Sequence, residues 1–228
     1  MMLFWFPTSY LRTQRALQWW HQRQWIQLGS EAHRIRDGLL QESFTIRRSL
    51  ELSLVDNIDI SAKIGQDWLN KIEKFHHYLE QLSDRLSPVH IEYSLPLAIQ
   101  YLLELWRTCN PKLNIEMDLP THWWHEPPDR SIVILRVLDE LIRISMSKLL
   151  TEISIDITLK LQENIGELVV YIFYPDVSTL ISYYSLKDLE YLGQTFEMLT
   201  SGQCFREIKE LSMAWCFRWV TQKDKFVR

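Results

Sequence analysis

Apolar side chains recur at three- and four-residue steps over two long stretches in the first part of the chain. Ile35, Leu39, Ile46, Leu50 and Leu54, with Ser43 in the same row, predict a helix over 31–54. Ile64, Trp68, Ile72, Phe75, Leu79, Leu82 and Leu86 predict a second helix, which Ser87-Pro88 stops because proline disfavours helix in the residue before it. Asp56-Asn57-Ile58-Asp59 has the turn chemistry to join them. Ahead of this pair, residues 8–28 read as a helix rich in aromatic and basic side chains, feeding into the next near Gly29-Ser30. After Pro88 the pattern changes. A helix to about residue 107, a strand over 113–119 and a helix over 129–150 come first. Alternating Ile/Val strands over 152–160 and 167–174, a helix over 186–199 and a hairpin ending in Met213-Ala214-Trp215-Cys216-Phe217 complete the chain. Helices against one face of a mixed sheet make an α+β sandwich. The expected organisation is an N-terminal helix (1–30), a helical hairpin (31–88) and an α+β domain (89–228).

Two amphipathic helices joined by a short turn cannot bury both stripes alone. Two hairpins pairing about a two-fold axis into a four-helix bundle solve that, so the pattern predicts a homodimer.

Composition narrows the function. A net charge of −4 and a pI near 6.0 argue against bulk electrostatic binding to nucleic acid. Six glycines in 228 residues count against glycine-rich phosphate loops. Cys109, Cys204 and Cys216 lack metal spacing and are odd in number, which fits free thiols in a cytoplasmic protein; on facing strands Cys204 and Cys216 could be neighbours. No apolar run approaches the ~20 residues that span a bilayer. Met1-Met2-Leu3-Phe4-Trp5-Phe6-Pro7 lacks the basic region of a signal peptide, which leaves contact with a membrane surface or partner groove open. Ten tryptophans invite two readings, as core filler or as anchors for a protein partner, with Trp19, Trp20 and Trp25 the candidate anchors.

The segment Ala32-His33-Arg34-Ile35-Arg36-Asp37-Gly38-Leu39-Leu40-Gln41 resembles the phospho-acceptor helix of two-component sensor histidine kinases of the His-Asp-x-x-x-Gln subfamily. The order of elements after residue 30 is similar to that family's dimerisation hairpin and ATP-binding domain. On that resemblance the acceptor histidine is Arg36, whose guanidinium stays charged and offers no lone pair to a phosphoryl group. Arg136-Val137-Leu138-Asp139-Glu140-Leu141-Ile142-Arg143-Ile144 fits the frame of the family's asparagine-bearing helix, but the Mg²⁺-coordinating asparagine falls on Ile144, which has no oxygen for a hard cation. Asp176 stands near the adenine-binding aspartate without the glycines that follow it there, and Gly193 and Gly202 are lone remnants of the later glycine-rich lid. The resemblance therefore implies a pseudokinase with no nucleotide or metal cofactor.

Asp37 and Gln41 keep the Asp-x-x-x-Gln spacing and share a helix face. The resemblance implies that Gln41 would orient water against the aspartyl-phosphate of a bound response regulator, giving an ATP-independent phosphatase as the enzymatic alternative. Against it stands an ordinary solvated bundle surface. Arg34, Arg36, Arg47 and Arg48 form a basic stretch that could dock an acidic receiver pocket or a larger complex. His76-His77 and His122 with His125 lack a third metal-ligating partner at fixed spacing and read as surface or packing histidines. The favoured expectation is a regulator or scaffold that works by protein binding, cytoplasmic and at most peripheral to a membrane complex.

Overall fold

The computed structural model describes residues 5–55, 62–86, 90–124, 126–147 and 153–221. Two compact units emerge: Met1–His21 with Val89–Arg228, and Gln22–Pro88. The turn expected at 56–59 lies outside the described residues.

The larger unit is an α+β sandwich. Its sheet holds β1 (Leu113–Asp118), β2 (Ile153–Gln162), β3 (Ile165–Phe173), β4 (Gln203–Lys209) and β5 (Ser212–Val220) in the order β1-β2-β3-β5-β4. β1 runs parallel to β2, and every other pair is antiparallel. Alternation places Ile155, Ile157 and Leu159 opposite Ile172, Val170 and Leu168, and the last two opposite Trp215 and Phe217. All are buried, and together they form the face that the helices cover. Cys204 opposes Phe217, whereas Phe205 opposes Cys216, so the two thiols lie on opposite faces of the sheet. The strand pairing anticipated from sequence is present, but a one-residue offset forbids a bond between them.

α4 (Leu95–Cys109), α5 (Pro128–Met146), α6 (Val177–Tyr184) and α7 (Lys187–Thr200) cover that face. Ser94 caps α4, as its hydroxyl side chain and the proline in the first turn would lead one to expect. α6 was not anticipated. Val, Thr, Ile and Tyr give its eight residues a strand-like composition, and Asp176 sets the helix by capping it.

α1 (Trp5–Arg34) runs without a break through Gly29-Ser30, where a junction was expected; one glycine costs only ~1 kcal/mol against alanine in a helix interior and does not by itself end one. Within the larger unit, its first half lies on α7. Ala16 is fully buried, Trp19 donates its indole N–H to Asp188 at 2.9 Å, and Trp19 packs on Tyr191.

In the smaller unit a π-helical turn, Ile35–Leu39, leads into α2 (Leu40–Val55), and α3 (Ala62–Leu86) returns antiparallel. No described helix is long and apolar enough to cross a membrane.

Candidate functional site

Two places are defined by the sequence: the helical segment around Arg36, and the end of α5 with the turn after β3.

In the smaller unit, the π turn spans Arg36, Asp37 and Gly38 themselves. The Leu40 N–H bonds the Ile35 carbonyl, five residues back, which inserts one extra residue into the helix. The less exposed stripe on α2 differs from the expected one. Leu39 is buried and Glu42, Ile46 and Ser49 are half-buried, while the expected members Ser43 and Leu50 face solvent. Leu40 and Phe44 are left 59% and 65% exposed. On α3, Leu69 and Ile72 are 61% and 50% exposed.

A groove of about 910 Å³ runs beside the π turn, with an apolar floor of Trp25, Ile26, Ile35, Leu39, Tyr78 and Leu82 and a polar margin that includes His33 and Asp37. Asp37 and Gln41 are both exposed. Three arginines of the basic stretch are compensated along their own helices. Arg34 pairs with Glu31 at 3.2 Å, and Arg47 and Arg48 pair with Glu51 at 2.8 and 4.0 Å. The Arg47 guanidinium holds the Glu51 carboxyl below its usual range. Such exposed pairs contribute little stability, yet they reduce the net field offered to an acidic partner. Of the three candidate anchors, Trp19 and Trp20 pack against the core of the larger unit, whereas Trp25 is 70% exposed at the groove.

In the larger unit, α5 presents Ile144 inward at 3% exposure, among Leu138, Leu141 and Ile142. Glu140, one turn earlier, is buried with Arg143 at 3.5 Å, and Arg143 also bonds Asp139 at 2.8 Å. Asp139 in turn accepts the Trp106 indole N–H at 2.8 Å. These polar groups tie α5 to α4.

The turn after β3 is closed by aromatic packing. Tyr174 and Tyr183 stack with ring centres 5.2 Å apart, both buried. Burial pushes the Tyr174 hydroxyl up to about 12, only partly offset by Ser145 of α5. Asp176 is exposed and committed to the N-terminus of α6. It accepts from the Thr179 N–H and hydroxyl, each at 2.8 Å, and from the Ser178 hydroxyl. Those hydrogen bonds, Ser178 foremost, bring its carboxyl down to about 2.

The lone glycines serve packing. A Cβ at Gly193 would meet Cys204 Sγ at 3.2 Å, and one at Gly202 would meet the Arg218 carbonyl oxygen at 2.3 Å. Among the described residues no group of three or more His, Cys, Asp or Glu side chains could hold a metal ion. His76, His77 and His122 are exposed, and His125 lies outside the described residues. The π turn could not be foreseen from the sequence, because a five-residue hydrogen-bond step over so few residues leaves no distinct mark in the hydrophobic pattern.

No family model and no curated protein matches the chain. Among solved structures it is similar to the Acinetobacter baumannii histidine kinase AdeS, at 14% identity over 81% of this chain and 98% of that one, with a TM-score of 0.43. It is also similar to histidine kinase ThkA crystallised with the response regulator TrrA, at 14% identity, 99% and 68% coverage, and a TM-score of 0.44. A third is the histidine kinase domain of the blue-light activated EL346 kinase of Erythrobacter litoralis, at 5% identity, 78% and 95% coverage, and a TM-score of 0.42. Identities this low assign no function.

Proposed function

We propose that the chain is a histidine-kinase-like protein without autokinase activity, which acts by protein binding as a regulator or assembly factor. It would dimerise through its helical hairpin and engage a receiver-like domain or a larger complex. The observation that carries this reading is the chemistry of Ile144: where the resemblance requires a Mg²⁺ ligand, a buried aliphatic side chain is packed among leucines. Arg36 at the acceptor position and the Tyr174–Tyr183 stack beside the capped Asp176 support it independently. The exposed apolar side chains Leu40, Phe44, Leu69 and Ile72 support the dimer.

The test pairs two measurements on the full chain. Incubation with radiolabelled ATP and Mg²⁺ should leave the chain unlabelled, and tagged protein recovered from native expression should carry a receiver-domain protein as its main companion. Label on the chain would refute the reading. A large complex without any receiver domain would keep the scaffold role and remove the signalling one.

The phosphatase is retained as a second reading because Asp37 and Gln41 are both exposed, Asp37 at the margin of the groove. Gln41→Ala should then abolish dephosphorylation of a phosphorylated receiver while sparing its binding. Unchanged dephosphorylation would sink the catalytic role of Gln41.

A further inference from the structure

β4 is an edge of the sheet, and its open side is unusually inviting. The two-residue turn at Glu210 and Leu211 sets Lys209 opposite Ser212, so Lys209, Glu207, Phe205 and Gln203 direct their backbone groups at β5. Cys204, Arg206 and Ile208 therefore direct theirs outward. Glu197 of α7 covers the first of these, accepting the Cys204 N–H at 3.1 Å. The stretch around Arg206 and Ile208 is left as a strand template.

Sheet edges are commonly guarded by proline, a bulge or unmatched charge. β4 has no proline, and Phe205 and Ile208 are 50% and 44% exposed on its two faces. Lys209 is matched by Glu207 on the same face at 2.5 Å. Beside this end of the strand, Leu211 and the outer side of α6 add exposed apolar side chains, Val177 and Ile181. The Tyr174 N–H bonds the Leu211 carbonyl at 2.9 Å, and the Arg206 guanidinium lies 4.5 Å over the Tyr184 ring, so α6 is tied alongside at both ends.

We propose that this edge pairs with the same edge of a second copy, antiparallel about a two-fold axis at Ile208, to make one continuous sheet across two molecules. Charge complementarity selects the occupant and the register. Centred on Ile208, each Glu207 opposes Lys209 of the other copy, Ile208 opposes Ile208, and Arg206 opposes Glu210. Centred on Arg206, two guanidinium groups would be set against each other, and centred on Cys204 the Glu197 carboxylate stands in the way. The axis is perpendicular to the sheet, so the α6 helices of both copies fall on one side and their Val177 and Ile181 side chains approach across it. This contact is separate from the hairpin pairing proposed above, and the two together would link copies beyond the dimer.

The test is sedimentation velocity on the full chain over a concentration series, with variants at two exposed positions. Glu207→Lys and Lys209→Glu should each weaken association roughly tenfold, since each replaces two attractive cross-strand pairs by two repulsive ones. The double variant Glu207→Lys/Lys209→Glu should regain the wild-type value. The same series in a Phe44→Glu background separates this contact from the hairpin: if the hairpin does not dimerise, that background changes nothing, and the charge variants still govern all association. Exchange of the Ile208 amide hydrogen should slow as concentration rises. Single variants that associate like wild type, a double variant that stays weak, or an Ile208 amide indifferent to concentration would each overturn the proposal.

Discussion

Phe44→Ala separates the proposed hairpin dimer from the fold of the hairpin itself. Phe44 is 65% exposed in the single chain, so its truncation removes little that the monomer uses. An aromatic side chain buries roughly 200 Å² when fully enclosed, which leaves about 130 Å² of Phe44 for a partner. Alanine retains roughly a third of that surface. The loss at about 25 cal/mol per Å² is then about 2 kcal/mol per copy, and about 4 kcal/mol for a two-fold dimer in which the residue occurs twice. That corresponds to roughly a thousandfold in dimer dissociation constant. The assay is sedimentation equilibrium on wild type, Phe44→Ala and Tyr10→Ala, the last an aromatic of similar exposure, 70%, on the half of α1 that belongs to the larger unit. Tyr10→Ala should leave association unchanged, and urea unfolding of Phe44→Ala, compared with wild type at a concentration where both are monomeric, should show a loss under ~0.5 kcal/mol, as at ordinary surface sites. With the β4 edge disabled by Glu207→Lys, a dimer that survives Phe44→Ala undiminished, or weakens equally with Tyr10→Ala, refutes the placement of the interface.

The larger unit offers further checks. Asp176→Asn should lower the melting temperature at neutral pH, and the gap should close as pH falls from near 4 toward 2: the folded carboxyl is depressed to about 2 from 3.8, so its stabilisation is present above the higher value and lost through the lower. Thermal melts at pH 7 and pH 2 measure both arms, and a pH-independent gap would exclude the capping carboxylate as its source. Gly202→Ala should destabilise by about 1–3 kcal/mol in chemical denaturation, because the new Cβ meets a strand carbonyl rather than a yielding side chain. Neutral behaviour would remove the packing explanation for that glycine. Iodoacetamide should label exposed Cys109 fastest and Cys204 slowest, since burial raises the Cys204 thiol. Equal labelling of Cys204 and Cys109, or a Cys204–Cys216 disulfide in native protein, would contradict the opposite-face register.

Where side-chain period alone decides an element, the sequence was enough. β2 and β3 alternate Ile, Val and Leu with polar residues, and the sheet buries that row. α5 and α7 follow the 3.6-residue period with glycine, proline or capping residues close to their ends. What escaped was set by single hydrogen-bonding groups. α6 exists because one carboxylate accepts three local donors, which outweighs a strand-like composition over so short a segment. The fate of Trp19 turned on a carboxylate 169 residues away, beyond any local pattern. For the proposed site the sequence offered residue types at Arg36, Ile144 and Asp176, but not their surroundings: that Asp176 is a cap and that Gly193 seats a helix against Cys204 needed coordinates.

The π turn lies where these threads meet, at the start of α2. On a regular helix Ile35, Leu39, Ser43, Ile46 and Leu50 share one row, with Leu40 and Phe44 roughly 100° and 140° round from its centre, on the outer side. With one residue inserted at Ile35–Leu39, Glu42, Ile46 and Ser49 turn toward α3. Ser49 there takes a hydrogen bond from Lys71 at 3.3 Å, a polar contact in place of an apolar one. Leu40, Phe44 and Leu50 lie on the surface. A hairpin with Lys71 and Ser49 in its seam that also exposes leucine and phenylalanine leaves apolar surface uncovered in the single chain, which is what the proposed dimer would cover. The same turn carries Arg36 and Asp37, so the backbone step that would prepare the dimer face also sets the positions from which phosphoryl chemistry would have to act.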